Sequence, residues 1–248
     1  MDRREFLKSV PAMAALAAAA SSLAEDLTPP SGAEAPAATT GPTIRLEPIQ
    51  LVKPQTDGGK SVLAALWERK TTRGISDRKL PPQVLSDLLW SAFGVNRKNG
   101  PGGGIGRTAA SASNSQEIDV YVAMAEGVYL YEAVPHRLKP VLEGDLRAKV
   151  GRGRRGAGAT APVRLIYVVD IARFAKARFQ EPGLRDAEIQ KSYYFVDTGL
   201  IAGNVYLFAA SQGLAAWFHN GDKPGLARAL NLRPDQRVLF AQTVGYPG

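Results

Sequence analysis

The stretch DTGLIAGNVYLFAASQGLAAWF, residues 197–218, decides the fold. From 199 to 218 it is almost wholly apolar and about as long as a helix that crosses a bilayer. Asn204, Ser211 and Gln212 interrupt it, and Asp197 stands just before it. An amide left in hydrocarbon without a partner costs on the order of several kcal/mol. A helix that is apolar all round is at home at the centre of a soluble dimer. Gly199 and Gly203, four apart, permit another helix to approach closely. The stretch therefore reads as a core helix running over 186–212, stopped by Gly213, with a short strand at 215–218.

Outward from this helix, 163–169 is a nearly continuous apolar run and reads as a buried central strand. Residues 118–122 alternate as a strand does, the turn Glu126-Gly127 follows, and 128–131 completes a hairpin. Pro81 and Pro82 open a helix that turns Val84, Leu85, Leu88, Leu89 and Ala92 inward. Ser61 caps an earlier helix with Val62, Leu63, Leu66 and Trp67 on one stripe. That helix is expected to run into Arg69-Lys70-Thr71-Thr72-Arg73. Residues 96–106 and 151–160 read as glycine-rich loops, 224–230 as a short helix and 238–244 as a last strand. Helices and strands mix without regular alternation, and no internal repeat occurs. The pattern predicts an α+β domain rather than a doubly wound sheet.

The amino terminus reads as an address. Arg3-Arg4-Glu5-Phe6-Leu7-Lys8 precedes an alanine-rich apolar run and the small residues Ser22-Leu23-Ala24. This order resembles a twin-arginine export signal over 1–24, with cleavage after Ala24 and a periplasmic product. The run is too short and too weakly apolar for a membrane span. That route carries folded proteins, which implies a cofactor inserted before export and the translocase as a passing partner. Residues 25–43, rich in Pro, Ala, Gly, Ser and Thr, read as a disordered linker. A single domain is expected over 44–248.

The net charge is +8. Removal of 1–24 takes away three basic and two acidic residues and leaves +7. A basic surface favours anionic ligands. The absence of cysteine excludes disulfides, thiol catalysis, cysteine–zinc sites and a lipidated amino terminus. His136 and His219 are the only histidines; no metal-ligand spacing exists and no Ser-His-Asp triad is legible. His136 reads as a surface residue at a strand end, and His219 as a candidate substrate contact. The pattern Gly104-Ile105-Gly106-Arg107-Thr108-Ala109 lacks the flanking strand and helix of a dinucleotide fingerprint. The arginine–glycine run at 151–156 lacks the interleaved aromatics of a nucleic-acid binder and reads as a surface loop.

Five segments in order resemble the nitroreductase-like flavoenzymes, particularly the SagB-type branch. They are Arg69-Lys70-Thr71-Thr72-Arg73; the run from Arg107 through Ser111 and Asn114 to Gln116; Gly127-Val128-Tyr129-Leu130-Tyr131 with Gly144-Asp145-Leu146-Arg147; Asp197-Thr198-Gly199 with Gly213-Leu214; and Val244-Gly245-Tyr246-Pro247. The resemblance implies a mixed central β-sheet flanked by helices, an intertwined homodimer and a bound flavin mononucleotide (FMN). It implies two-electron transfer through flavin N5 to or from a small organic molecule. A non-catalytic flavin carrier of the same fold is the alternative, and a basic surface-binding module with a degenerate site is a third.

The residue chemistry is compatible. Arg69 and Arg73, four apart at a helix end, can pair with a phosphate, and Thr71 adds a hydroxyl. Lys70 lies among them. The resemblance places Ser111, Asn114 and Gln116 on a loop that reaches the flavin, commonly from the partner subunit. It places backbone donors of Ala215, Ala216 and Trp217 near N5. Departures are Glu117 where proline is usual, and an ending at Gly248 before a late basic phosphate ligand, for which Arg107 is the candidate replacement. No catalytic side chain is assigned.

Overall fold

A computed structural model describes residues 46–100, 103–151 and 160–248. The export signal, the linker and the core of the 151–160 loop lie outside the described residues.

The strands are β1 (Ile49–Gln50), β2 (Val95–Arg97), β3 (Gly106–Arg107), β4 (Ile118–Ala123), β5 (Gly127–Glu132), β6 (Arg137–Glu143), β7 (Val163–Asp170), β8 (Ala215–His219) and β9 (Gln236–Gly245). The helices are α1 (Val62–Glu68), α2 (Pro82–Phe93), α3 (Arg147–Val150), α4 (Ala187–Ser211) and α5 (Lys223–Ala229). Seven strands form one sheet in the order β1-β6-β5-β4-β7-β9-β8, and β2 pairs with β3 apart from it. Each pairing within the large sheet is antiparallel. The parallel pairing that a mixed sheet requires is not found among the described residues.

The central strand is as expected. All of β7 is buried, because both faces of the sheet are covered. Val163, Leu165, Tyr167 and Val169 point to the side of α2 and α4. Ile166 and Val168 point to the other side, with Leu146, Val150, Leu226 and Leu230 of the α3 and α5 regions. Side chains alternate along a strand, so a doubly covered strand reads as unbroken apolar sequence. The molecule is thus three-layered, and α4 lies along its larger core.

Helix α4 is set by its ends. Asp186 Oδ1 accepts the backbone N–H groups of Glu188 and Ile189, each at 2.9 Å. Gly213 follows it in the left-handed region at φ +66°, the conformation that ends helices. Among the described residues, no helix is long and apolar enough to cross a membrane.

Three expectations are corrected. The 96–106 segment is not all loop, since β2 and β3 bracket it as a short ladder. His136 is not a simple surface residue. It sits at φ +49°, half-buried, with Nδ1 2.9 Å from the Tyr131 hydroxyl and Nε2 2.7 Å from Ser86 Oγ. Burial lowers its pKa, and its neutral ring ties the β5–β6 turn to α2. Helix α1 stops at Glu68, short of the arginines; Arg69 has φ −56° and ψ 121°.

Candidate active site

At Arg69 the chain leaves the helix, and Thr72 N–H donates to Ala216 O of β8 at 3.0 Å. Arg69 and Thr71 both reach Tyr206, and Arg73 reaches Trp217, outside the helix in which they were expected. The Arg69 guanidinium lies 5.5 Å from the centre of the Tyr206 ring, and that of Arg73 lies 5.7 Å from the Trp217 ring. Thr71 Oγ1 is 3.1 Å from the Tyr206 hydroxyl, which also accepts Phe218 N–H at 2.9 Å. Tyr206, on α4, is the organiser that sequence reasoning missed.

Arg69, Lys70, Thr71 and Arg73 are exposed. Among the described residues, neither Arg69 nor Arg73 has a carboxylate partner. Lys70, the intervening residue, borders a recess with Glu68, Thr72, Tyr206 and Ala216. Ala215 and Ala216 are buried in β8 and Trp217 is half-buried. Trp217 lies against His219, ring centres 4.3 Å apart.

His219 is buried among its own partners. Nδ1 is 3.0 Å from Asn220 O, which can only accept, so Nδ1 carries the proton. Nε2 then accepts from Thr243 Oγ1 at 2.9 Å. Burial lowers the His219 pKa. Both ring nitrogens are committed inside the protein, so the ring holds Trp217 in place and neither nitrogen is turned toward a substrate.

A second group contains Arg107, Ser111, Asn114 and Gln116. Arg107 Nε donates to Gln116 Oε1 at 2.6 Å and Nη1 to Phe93 O at 3.2 Å. Burial lowers the Arg107 pKa. Gln116 Nε2 donates to Ile105 O at 2.7 Å and to Asn114 Oδ1 at 2.9 Å. Gln116 N–H donates to Ser111 Oγ at 3.0 Å. Ser113, Asn114 and Gln116 all have φ near +50°. Three non-glycine residues in that region give a loop of imposed shape. Asp197 Oδ2 of α4 accepts Ala112 N–H at 2.8 Å and pins the loop to the helix.

The sequence-expected residues thus fall into two groups within the chain. One gathers at Tyr206 and the other at Asp197. These lie nine residues apart on α4, roughly 13 Å along its axis. One face of the helix between and beside them is bare: Phe195, Val196 and Leu200 are exposed, and a side chain on Gly199 or Gly203 would meet nothing. Helix α1, packed on α4, turns its apolar stripe outward, with Trp67 90 % exposed. Large exposed apolar patches of this kind are contact surfaces.

Residues 66–246 match the Nitroreductase family. A Methanocaldococcus jannaschii protein assigned to the nitroreductases, MJ1384, is 27 % identical over 157 residues, covering 60 % of this chain and 73 % of that protein. A crystal structure of a protein from Ralstonia eutropha JMP134, also assigned to the nitroreductases, superposes with a TM-score of 0.71 at 33 % identity, covering 81 % of this chain and 90 % of that one. Nitroreductase A of Vibrio parahaemolyticus shares the fold, with a TM-score of 0.54 at 17 % identity over 76 % of this chain and 68 % of that one.

Proposed function

The chain belongs to the nitroreductase family of flavin-dependent oxidoreductases, and we propose that it is an exported, SagB-type member that holds FMN. The observation that carries this is the set of Arg69, Thr71 and Arg73 beside Tyr206 and Trp217. It offers two guanidinium groups that have no carboxylate partner among the described residues, and one hydroxyl. That donor set fits an anionic flavin nucleotide: Arg69 and Thr71 suit the phosphate, which guanidinium binds through paired charge-assisted hydrogen bonds, and Arg73 suits the ribityl or pyrimidine edge. The bound flavin supplies two-electron transfer at N5, to or from a small organic molecule.

The residues of the chain have the binding and orienting parts. Arg69 and Thr71 take the phosphate and ribityl side. Arg73, held over Trp217, approaches the ring edge, where a cation favours the reduced, anionic form. Backbone groups of 215–217 serve the N5 edge. The Ser111, Asn114 and Gln116 loop, with Arg107 bracing it, comes from a second copy seated on the bare faces of α1 and α4. Members of the family are commonly dimers, and the apolar stripe of α1 fits a partner surface. Export by the twin-arginine route to the periplasm is supported by Arg3-Arg4 and by 22–24. It predicts a mature protein that starts at Glu25.

Anaerobic titration of the native protein tests the activity. The bound flavin is expected to bleach with a two-electron donor and to regain its colour on addition of a nitroaromatic or quinone acceptor. Flavin that binds tightly yet is reduced by no donor points to a carrier. Amino-terminal sequencing of exported protein checks the cleavage site, and an intact Met1 contradicts it.

A further inference from the structure

Behind the 111–116 loop lie two carboxyl groups from distant parts of the chain. Glu117 closes the loop just before β4. Asp197 faces it from α4. Glu117 is fully buried and Asp197 is 5 % exposed. Ser115 Oγ donates to Glu117 Oε2 at 2.6 Å. Asp170 N–H donates to the Glu117 carbonyl at 2.8 Å. Asp197 Oδ2 takes the Ala112 N–H. Glu117 Oε1 has no donor to accept from among the described residues, which leaves it as the oxygen that carries a proton toward Asp197.

Other charges nearby are committed elsewhere. Arg173, from the turn after β7, donates to Gln116 O and pairs with Asp119 and Asp170. Arg233 pairs with Asp170 and Asp235. Arg107 serves Gln116 and Phe93. Two carboxylates in one dry site cannot both ionise without mutual repulsion and desolvation.

We propose that Glu117 and Asp197 form a proton-sharing latch that holds the strained 111–116 loop against α4 and releases it as Glu117 ionises. The effect on flavin rests on the reading that this loop contacts FMN; the latch itself does not. Burial, then the charge of Asp197, pushes the Glu117 pKa up to about 8 from 4.5. Asp197 is raised by burial, against the Ala112 N–H that favours its charge. With the loop released, Glu117 returns to its ordinary value. Between about 4.5 and about 8 the latched form holds a proton that the released form lacks. Its advantage therefore falls by up to about tenfold per pH unit as pH rises, and levels off above about 8. Three residues at positive φ give the loop a reason to leave once the proton is gone.

Hydrogen exchange at the Ala112 amide of the purified protein tests the latch, read between pH 6 and 9 after correction for intrinsic exchange. The opening constant is expected to climb with pH in the wild type and level off above about pH 8. In Glu117→Gln it should be flat, because the amide keeps a donor for Asp197 and an acceptor for Ser115 but cannot ionise. Asp197→Asn, as a second variant, should keep a slope, because burial alone still raises Glu117, but should level off at lower pH than the wild type. A slope in Glu117→Gln equal to the wild type's, or an Asp197→Asn curve that levels off where the wild type's does, overturns the latch. FMN affinity over the same range is the separate readout. A wild-type dissociation constant that rises with pH, alongside a flat one in Glu117→Gln, supports control of the flavin. A constant affinity beside a normal exchange slope overturns that control and leaves the latch standing.

Discussion

Replacing Arg69 and Arg73 together by alanine is expected to weaken FMN binding by about 10²–10⁴-fold. A hydrogen bond to a charged group contributes about 1.5–3 kcal/mol, and each 1.4 kcal/mol is about a factor of ten. Neither arginine has a carboxylate partner among the described residues, so their loss should leave the fold's stability little changed. Tyr206→Phe is the control for a merely structural effect. It removes a hydroxyl that joins Thr71 and Phe218 N–H, and should cost about 1 kcal/mol of stability with under about tenfold loss of affinity. Fluorescence titration of flavin into the stripped proteins, beside thermal melts, separates the two. Unchanged affinity in the double variant rejects the phosphate assignment.

Val196→Asp with Leu200→Asp is expected to leave a single-chain protein that has lost its flavin. Both side chains are exposed on α4 in the protomer, so the changes spare its own core. In a dimer seated there they would place carboxylates in an apolar contact. Burying an unpaired charge costs several kcal/mol, about enough to dissociate a modest interface. The two groups of flavin residues would then no longer meet, since one lies at Tyr206 and the other at Asp197. Sedimentation with detection at flavin wavelengths reads both consequences at once. A double variant that stays dimeric and yellow places the interface elsewhere.

Strong periodicity made most of the fold legible. The strand at 163–169 and the helix at 186–212 are long, apolar and punctuated by Asp186 and Gly213, and they stand where expected. Strand β6 was not legible. It carries Arg137, Lys139 and Pro140, and the proline falls at a register shift opposite Tyr129, the kind of place where a strand tolerates it. The set Arg69-Thr71-Arg73 was legible as a cluster but not as a conformation. A spacing of four fits a helix face as well as an extended side, and the end of α1 at Glu68, with Arg69 at φ −56° and ψ 121°, decides against the helix. The Glu117–Asp197 pair was invisible because its members are brought together across eighty positions by α4 packing on the loop. Tyr206 looked like any aromatic of a core helix until its hydroxyl met Thr71.

The central claim is that two copies of this chain hold flavin between them by the arginines that follow α1. The visible spectrum of the native protein, taken with its mass in solution, is the most direct test. The expected result is an oxidised-flavin spectrum at one FMN per chain in a two-chain assembly. A colourless single-chain protein that takes up no added FMN contradicts the account.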